Sequence, residues 1–201
     1  MPILFFDTET TGLPDKRAPI TAPHQPHIVQ LAAILTDDDG TERASLNLIV
    51  DPGVSIPKGA SDVHGITDDI ALRFGVTPAA AAMAFRSMAE RADKLAAHNI
   101  GFDRLLVGIL LKRVGAAFSF TGESYCTMEA SAPVVNLPPT ERMVAAGIDK
   151  PKAPKLSEAY RHFFGKELEG AHDALVDVRA CRDVYLVLNG MRAEIIETGD
   201  V

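Results

Sequence analysis

The sequence has 201 residues, of which 47% are hydrophobic and 23% are charged, and its formal net charge is −7. This length fits one domain, and the composition is that of a globular chain with a sizeable core, which excludes a disordered tail or a coiled coil. The negative charge excludes long-range electrostatic steering of duplex nucleic acid. It does not exclude nucleic acid held through bound metal ions, which would be the largest local charges in such a site.

Cysteine usage and hydropathy bear on the compartment. Cys126 and Cys181 are far apart with no CxxC pair, which excludes a disulfide framework and a thiolate zinc site and fits a reducing compartment. We interpret both as buried thiols. No apolar run approaches the roughly 20 residues of a membrane span, and the N-terminus lacks the basic region and cleavage site of a signal peptide. The sequence therefore predicts a cytoplasmic protein without a membrane partner.

The first third of the chain has the pattern of an antiparallel β-meander. Apolar residues 3–6 predict a buried strand that ends at Asp7 and leads into a loop over residues 14–26, which hold four prolines. A second strand is predicted over residues 27–36 and a third over residues 44–50. The Asp-Asp-Gly sequence between them is typical of a hairpin turn.

The rest of the chain alternates helical and extended patterns. The predicted elements are, in order, a helix from Thr77 through Ala84, a strand over 94–98, a helix over 102–114, an irregular proline-rich insertion over 132–154 with a short helix at 141–146, and helices over 156–164 and 172–188. A single domain over residues 1–190 and a frayed tail over 191–201 follow. A meander followed by alternating helices and strands predicts an α/β fold with a mixed sheet and helices on both faces.

Two carboxylates end the first strand. Asp7 and Glu9 are two residues apart, which in a strand places both side chains on the same side. Like charges so close are costly, and a buried pair persists if it shares a proton or binds a cation. The alternative is that both are loop residues that cap the Thr10-Thr11-Gly12 segment, and the spacing alone leaves the two interpretations equal.

Three further acidic residues and a histidine belong to helix starts. Asp103 lies in the first turn of its predicted helix, where the helix dipole favours a carboxylate whatever the function. Asp173 and Asp177 share a helix face if both are helical. His172 and Asp177 would stand about 140° apart on an ideal helix, so they converge only if His172 lies in the preceding loop. Asp173 is then well placed as the N-cap.

This set of side chains favours particular ions. Carboxylates without a thiolate favour Mg²⁺ or Mn²⁺, and a site with several of them can hold two such ions about 3.5 to 4 Å apart. Paired ions of this kind suit phosphoryl chemistry.

The same residues lie in three segments that resemble a known family. The segments are Phe6-Asp7-Thr8-Glu9-Thr10-Thr11-Gly12-Leu13, His98-Asn99-Ile100-Gly101-Phe102-Asp103 and His172-Asp173-Ala174-Leu175-Val176-Asp177. In order and spacing they closely resemble the three motifs of the DEDDh exonucleases, the DnaQ-like 3′–5′ exonucleases of the ribonuclease H-like fold. Residues 63–67 and 155–158 also resemble secondary motifs of that family. The resemblance covers residues 3–188 and implies a five-stranded mixed sheet.

The resemblance implies a role for each motif residue. Asp7, Glu9 and Asp177 would bind one ion, and Asp7 would help to hold a second ion that Asp103 supports through water. His172 would be the general base, and the product would be a nucleoside 5′-monophosphate. The implied pocket for the terminal nucleotide is lined by Thr10, Leu13, His64, Asn99 and Phe102. Without the resemblance, ordinary core packing for Leu13 and Phe102 and a turn-capping role for His64 would be favoured.

The substrate and partners are less determined by sequence. The 3′ ends of single-stranded or frayed DNA are the favoured substrate and short RNA is the alternative, because a preference depends on contacts to the 2′-OH. A polymerase partner and a catalytically silent end-binding module are further hypotheses, although all five catalytic positions are filled. Lys150, Lys152 and Lys155 either contact phosphates behind the scissile bond or form a solvated face. The segments 14–26 and 132–154 are longer than in compact members of the family.

Overall fold

The computed structural model describes residues 1–117 and 119–191. It contains a five-stranded mixed sheet in the order β3-β2-β1-β4-β5. The strands are β1 (Ile3–Thr10), β2 (Ile28–Thr36), β3 (Glu42–Ile49), β4 (Lys94–Ala97) and β5 (Glu123–Cys126). The first three strands pair antiparallel, while β4 is parallel to β1 and β5 is parallel to β4. The predicted meander with added parallel strands is confirmed.

Helices cover both faces of this sheet. They are α1 (Lys58–His64), α2 (Asp68–Phe74), α3 (Pro78–Ala89), α4 (Ile100–Arg113), α5 (Thr127–Val135), α6 (Glu141–Ala145), α7 (Leu156–Phe164) and α8 (Ala174–Leu188). The cluster on one face contains α3 and α4, and the cluster on the other face contains α8. The sheet therefore lies between two separate apolar layers, as predicted.

Alternation along β1 assigns its side chains to the two layers. Phe6 packs edge-on against Phe85 of α3, and Phe5 packs edge-on against Tyr185 of α8, with ring centroids 5.2 Å apart in both pairs. Because side chains in a strand alternate, the face of Phe5 is also the face of Asp7 and Glu9. These carboxylates thus lie on the α8 side of the sheet.

Several short elements have no clear sequence pattern. Strand β5 has four residues, and helices α1 and α2 have seven each, too few for a periodicity to show. The prediction that the chain is irregular from residue 132 is wrong for residues 132–135, because α5 continues to Val135 with Pro133 inside it. The prediction that both thiols are buried holds for Cys181 and is wrong for Cys126, which is half-buried.

The loop between β1 and β2 is held by a buried glutamine. Gln25 is 1% exposed, and its Nε2 donates to the carbonyl oxygens of Asp15 at 2.8 Å and Pro19 at 3.2 Å. The Asp15 N–H donates to Gln25 Oε1 at 3.1 Å. Arg113 of α4 donates to the carbonyl oxygens of Pro26, at 2.6 Å, and Gln25. Since its backbone groups are bonded to buried side chains, this proline-rich loop has a defined conformation.

The last described residue is part of the packed domain. The Met191 N–H donates to the carbonyl oxygen of Leu186 at 2.8 Å, and its side chain packs against the α8 layer. The rest of the predicted frayed tail lies outside the described residues. Within residues 1–117 and 119–191, no helix has the length and apolar character needed to cross a bilayer.

The buried glutamine gives a first prediction. The change Gln25→Ala removes a buried amide and leaves two carbonyl groups and one N–H of the loop without their partner, so we expect the free energy of unfolding to fall by about 1–3 kcal/mol. Trypsin should also cut faster after Lys16 and Arg17. Urea unfolding and timed proteolysis measure both effects, with His24→Ala, an exposed change in the same loop, as the control. Unchanged cleavage of the Gln25→Ala variant would show that the side chain does not hold the loop.

Candidate active site

The candidate site, called the cleft below, is formed around Asp7, Glu9, Asp103 and Asp177. It begins where β1 extends beyond its parallel neighbour β4. β4 pairs with residues Ile3, Leu4 and Phe5 only, whereas β1 continues to Thr10 beside β2. Asp7 and Glu9 lie on this extension, so both are strand residues and the alternative of loop residues is wrong. The structure brings their carboxylates to one face of the sheet, as their spacing of two predicts.

A third carboxylate reaches the same place from α4. Asp103 lies in the first turn of that helix and is 2% exposed. It accepts a hydrogen bond from Thr8 Oγ1 at 2.8 Å, and Thr8 stands between Asp7 and Glu9 in β1. The hydrogen bond joins the start of α4 to the strand. Thr8 was not among the predicted site residues, although strand alternation points its side chain to the face that α4 covers.

The fourth carboxylate, Asp177, lies in the first turn of α8, and His172 lies just before this helix. Asp173 is the N-cap, since its side chain accepts from the N–H groups of Leu175 and Val176. His172 therefore lies in the preceding loop, with a φ of 72°, and its N–H donates to Asp177 Oδ2 at 3.1 Å. This is the only arrangement in which the sequence analysis expected His172 and Asp177 to converge. Potential ligand atoms of Glu9, His172 and Asp177 lie within 4.8 Å of one another.

The electrostatics of the four carboxyl groups reflect this convergence. Burial, followed by the charges of Asp103 and Asp177, raises the pKa of Asp7 well above its usual value. Burial and the charge of Asp177 raise the pKa of Glu9 to about 8. Burial also raises the pKa of Asp103 to about 7, against the hydrogen bond from Thr8. The pKa of Asp177 rises to about 6 through burial, against the hydrogen bond from the His172 N–H.

These groups fit a divalent cation. Asp177 Oδ1 is buried and has no hydrogen-bond partner among the described residues, so one carboxylate oxygen is available as a ligand. Raised pKa values show that the group of carboxylates is short of positive charge, which either protons or a cation can supply. Carboxylate oxygens are the ligands that Mg²⁺ and Mn²⁺ prefer.

The five residues proposed to line a nucleotide pocket have different environments. Thr10 is 8% exposed and donates through Oγ1 to the Gly12 carbonyl at 2.7 Å, whereas Leu13 is 85% exposed and so is not a core residue. Asn99 is an exposed N-terminal residue of α4 with a φ of 74°. Phe102 is half-buried against the α4 layer. Of these four residues, Thr10 and Asn99 are therefore polar and Leu13 is exposed.

His64 combines a structural contact with a free ring nitrogen. Its Nδ1 accepts from the Ile66 N–H at 3.1 Å, which is the turn-capping role expected without any resemblance. Its Nε2 is buried without a partner among the described residues. Burial lowers the pKa of His64, the backbone of Thr10 raises it, and the charge of His172 lowers it. His64 is therefore electrostatically coupled to both the end of β1 and the candidate base.

The basic segment before α7 is structural in part. Lys152 Nζ bonds both carboxylate oxygens of Glu158, at 2.6 and 2.9 Å, and Glu158 also accepts from the Lys155 N–H at 2.7 Å. Lys150 is exposed. Lys152 is thus engaged in an ion pair with α7. For this lysine the structure favours neither a phosphate contact nor a fully solvated side chain.

One polar residue of β2 was also missed. Gln30 is 4% exposed and is the register partner of Glu9. Its Oε1 accepts from the Ala174 N–H at 3.2 Å, so it contacts the first residue of α8. The signal in the sequence is a single amide within the otherwise apolar run of residues 28–35.

Comparisons with known proteins agree with this geometry. The profile of a family described as exonuclease matches residues 4–185. A structure of exonuclease I titled for how processivity is achieved superposes with a TM-score of 0.71 at 22% identity, covering 94% of this chain and 41% of that chain. E. coli exonuclease I with a dT13 oligonucleotide superposes with a TM-score of 0.71 at 20% identity, covering 94% of this chain and 40% of that chain. The zinc-bound E. coli ExoI–ssDNA complex superposes with a TM-score of 0.68 at 21% identity, covering 93% of this chain and 40% of that chain.

These structural likenesses establish the ribonuclease H-like fold that the motifs implied. The chain spans about two fifths of the length of the structures that it matches. A comparison with curated proteins gave no significant match.

The carboxyl cluster predicts an unusual pH dependence of stability. The pKa of Glu9 is higher in the folded protein than its ordinary value of 4.5, so the folded state binds more protons than the unfolded state up to about pH 8. Its contribution to stability is therefore present at low pH and is lost as the pH rises toward 8. We expect Glu9→Gln to stabilise the metal-free protein by about 0.5–2 kcal/mol at pH 8 and much less at pH 4.

Denaturant unfolding in EDTA at both pH values measures this difference. Asp149→Asn, an exposed carboxyl outside the cleft, serves as the control and should change stability little at either pH. Equal stability of Glu9→Gln and the parent protein at pH 8 would contradict the repulsion inferred for the cluster.

Proposed function

Because the chain belongs to the exonuclease family, we propose that it is a metal-dependent 3′–5′ exonuclease. It removes the terminal nucleotide of single-stranded or frayed DNA and releases nucleoside 5′-monophosphates. The observation that carries this proposal is the convergence of four carboxylates and His172 at the end of β1. No simpler structural role accounts for four partly or fully buried acidic groups, each with a pKa raised first by burial.

The carboxylates are proposed to hold two Mg²⁺ or Mn²⁺ ions. Asp7, Glu9 and Asp177 would hold one ion, and Asp7 would help to hold the second, with support from Asp103. Bound ions would activate the attacking water, clamp the scissile phosphate and stabilise the leaving 3′ oxygen. Support comes from the 4.8 Å grouping of Glu9, His172 and Asp177 and from the free buried oxygen of Asp177.

His172 is proposed as the general base. It takes a proton from the attacking water while the water oxygen bonds to phosphorus and the bond from phosphorus to the 3′ oxygen breaks. Solvent supplies the proton that completes the new 3′-hydroxyl. Imidazole suits this role at neutral pH. The bond from the His172 N–H to Asp177 fixes the backbone from which the ring extends.

The terminal nucleotide is proposed to enter between the end of β1 and the start of α4. The lining residues would be Thr10, Leu13, His64, Asn99 and Phe102. Leu13 offers an exposed apolar surface to a base, and the unpartnered Nε2 of His64 offers a polar atom at the cleft. An apolar contact with few polar groups suits a pocket that accepts any base.

DNA is the proposed substrate, with short RNA as the alternative. Two similar structures are those of E. coli exonuclease I with a dT13 and with a dA16 oligonucleotide. No described contact identifies a partner for a 2′-hydroxyl, which is the group that separates the two substrates. A polymerase partner and a cytoplasmic location stay predictions.

The direct test uses 5′-labelled single-stranded DNA and matched RNA on a denaturing gel, with Mg²⁺, Mn²⁺ or EDTA. We expect a ladder that shortens from the 3′ end in either metal and is absent in EDTA, with DNA degraded faster. Faster loss of RNA would identify an exoribonuclease. Tight binding of 3′ ends without shortening in either metal would support a silent binding module instead.

Substitution of the two central residues tests their roles. Asp7→Asn should lower kcat by at least about 100-fold, because the proposed ions lose a charged ligand and with it part of the transition-state stabilisation that they would supply. His172→Ala should lower kcat by about 10² to 10⁴-fold, the usual contribution of a general base. Both variants should keep the unfolding midpoint of the parent protein within a few degrees. A folded Asp7→Asn protein with the parent's activity would refute the proposal.

A further inference from the structure

A buried amide links the sheet to the start of α8, the helix that carries Asp177 and directly follows the loop with His172. Gln30 lies in β2 directly across from Glu9 and is 4% exposed. We infer that Gln30 is a positioning residue, which holds the start of α8 at the distance from β1 at which Asp177 and His172 face Asp7 and Glu9. The inference rests on the proposed function for what the site does.

The three hydrogen bonds of Gln30 fix the orientation of its amide. Oε1 accepts from the Ala174 N–H at 3.2 Å, and an N–H can only donate, so this atom must be the oxygen. Nε2 therefore faces two acceptors, Asn47 Oδ1 at 3.0 Å and Asp173 Oδ2 at 3.4 Å. Both bonding positions of the amide point at residues 173 and 174, where α8 begins. Gln30 therefore contacts the start of α8 through one donor and one acceptor.

From this point the connection to the reacting groups is short. Asp173 uses Oδ2 for Gln30 and Oδ1 for the N–H groups of Leu175 and Val176, so one carboxylate joins the sheet to the first helical turn. Asp177 follows one turn later, and its Oδ2 accepts from the His172 N–H. A shift of the helix start would therefore move the acid and the candidate base together.

The neutral amide also suits the charge of the cleft. The charge of Asp173 contributes to the raised pKa of Asp7, Glu9 and Asp177, three of the four carboxyl groups of the cluster. A glutamine supplies a hydrogen-bond donor to Asp173 without adding a further negative charge beside Glu9. A glutamate of the same length would keep the acceptor for Ala174 but would face Asp173 with a like charge.

This difference allows a test by exchange of donor and acceptor. In Gln30→Glu the donor is lost, and in the double variant Gln30→Glu with Asp173→Asn the amide and the carboxylate change places. The Asn side chain can then donate to the Glu side chain, and Asn is also a good N-cap. The net charge of the double variant equals that of the parent protein. Gln30→Leu removes donor and acceptor at similar size, and Asn47→Ala removes only the partner that lies on β3.

Two readouts separate positioning from general stability. One is the affinity for Mn²⁺ without substrate, by isothermal titration calorimetry; the other is kcat and KM on a short DNA strand at saturating Mn²⁺. We expect Gln30→Glu and Gln30→Leu to bind Mn²⁺ about 10-fold more weakly and to lose about 10-fold or more in kcat, with KM within about twofold. The Mn²⁺ affinity and kcat of the double variant should both recover to within about threefold of the parent values. Asn47→Ala should lie within the same threefold range in both measurements.

The inference is overturned if the single Gln30 variants match the parent in Mn²⁺ affinity and kcat, or if the double variant is no better than Gln30→Glu. If Gln30→Leu does not fold, the comparison of Gln30→Glu with the double variant decides alone. Because Mn²⁺ affinity is measured without hydrolysis, a parent protein that binds Mn²⁺ but cuts no strand would refute the proposed function and leave this test intact.

Discussion

The withdrawal of four neighbouring carboxyl groups from water at the end of β1 is the constraint on which the rest of the structure depends. Asp7, Glu9, Asp103 and Asp177 come from one strand and two helices, and burial raises the pKa of each. Such a group is unfavourable without protons or cations, so the fold must hold it together through other interactions. The same closeness of the carboxylates that lowers the stability of the fold also allows them to bind cations, and such a trade-off is common at active sites.

The two apolar layers supply that force. Phe5 and Phe6 anchor β1 to α8 and to α3 on opposite sides, and the same alternation sends Asp7 and Glu9 toward α8 and Thr8 toward α4. Strand β1 is therefore the common reference for both helices that bring acidic residues to the site. Asn99 and His172, both with positive φ, lie at the starts of these helices, where strained backbone is often found beside functional groups.

Polar side chains with few alternatives set the finer geometry. Gln25 and Arg113 give the loop after β1 a fixed path, and Gln30 joins β2 to the start of α8. His98 connects Thr127 of α5 with the Pro154 carbonyl, at 3.0 Å each, and so fastens the end of the proline-rich segment near the cleft. In each case a buried or half-buried side chain bonds backbone groups of a neighbouring segment.

The sequence by itself determined the mixed sheet and the spacing of Asp7 and Glu9, because strand alternation acts over a few residues. The helix predicted over 172–188 included His172, whereas the structure begins α8 at Ala174 and leaves His172 in the preceding loop. The sequence also determined the family, through three motifs in order. Only the tertiary structure decided that β1 continues through Glu9, that Thr8 bonds Asp103 and that Gln30 faces α8. These facts depend on pairing and packing between segments up to 144 residues apart, which no local pattern encodes.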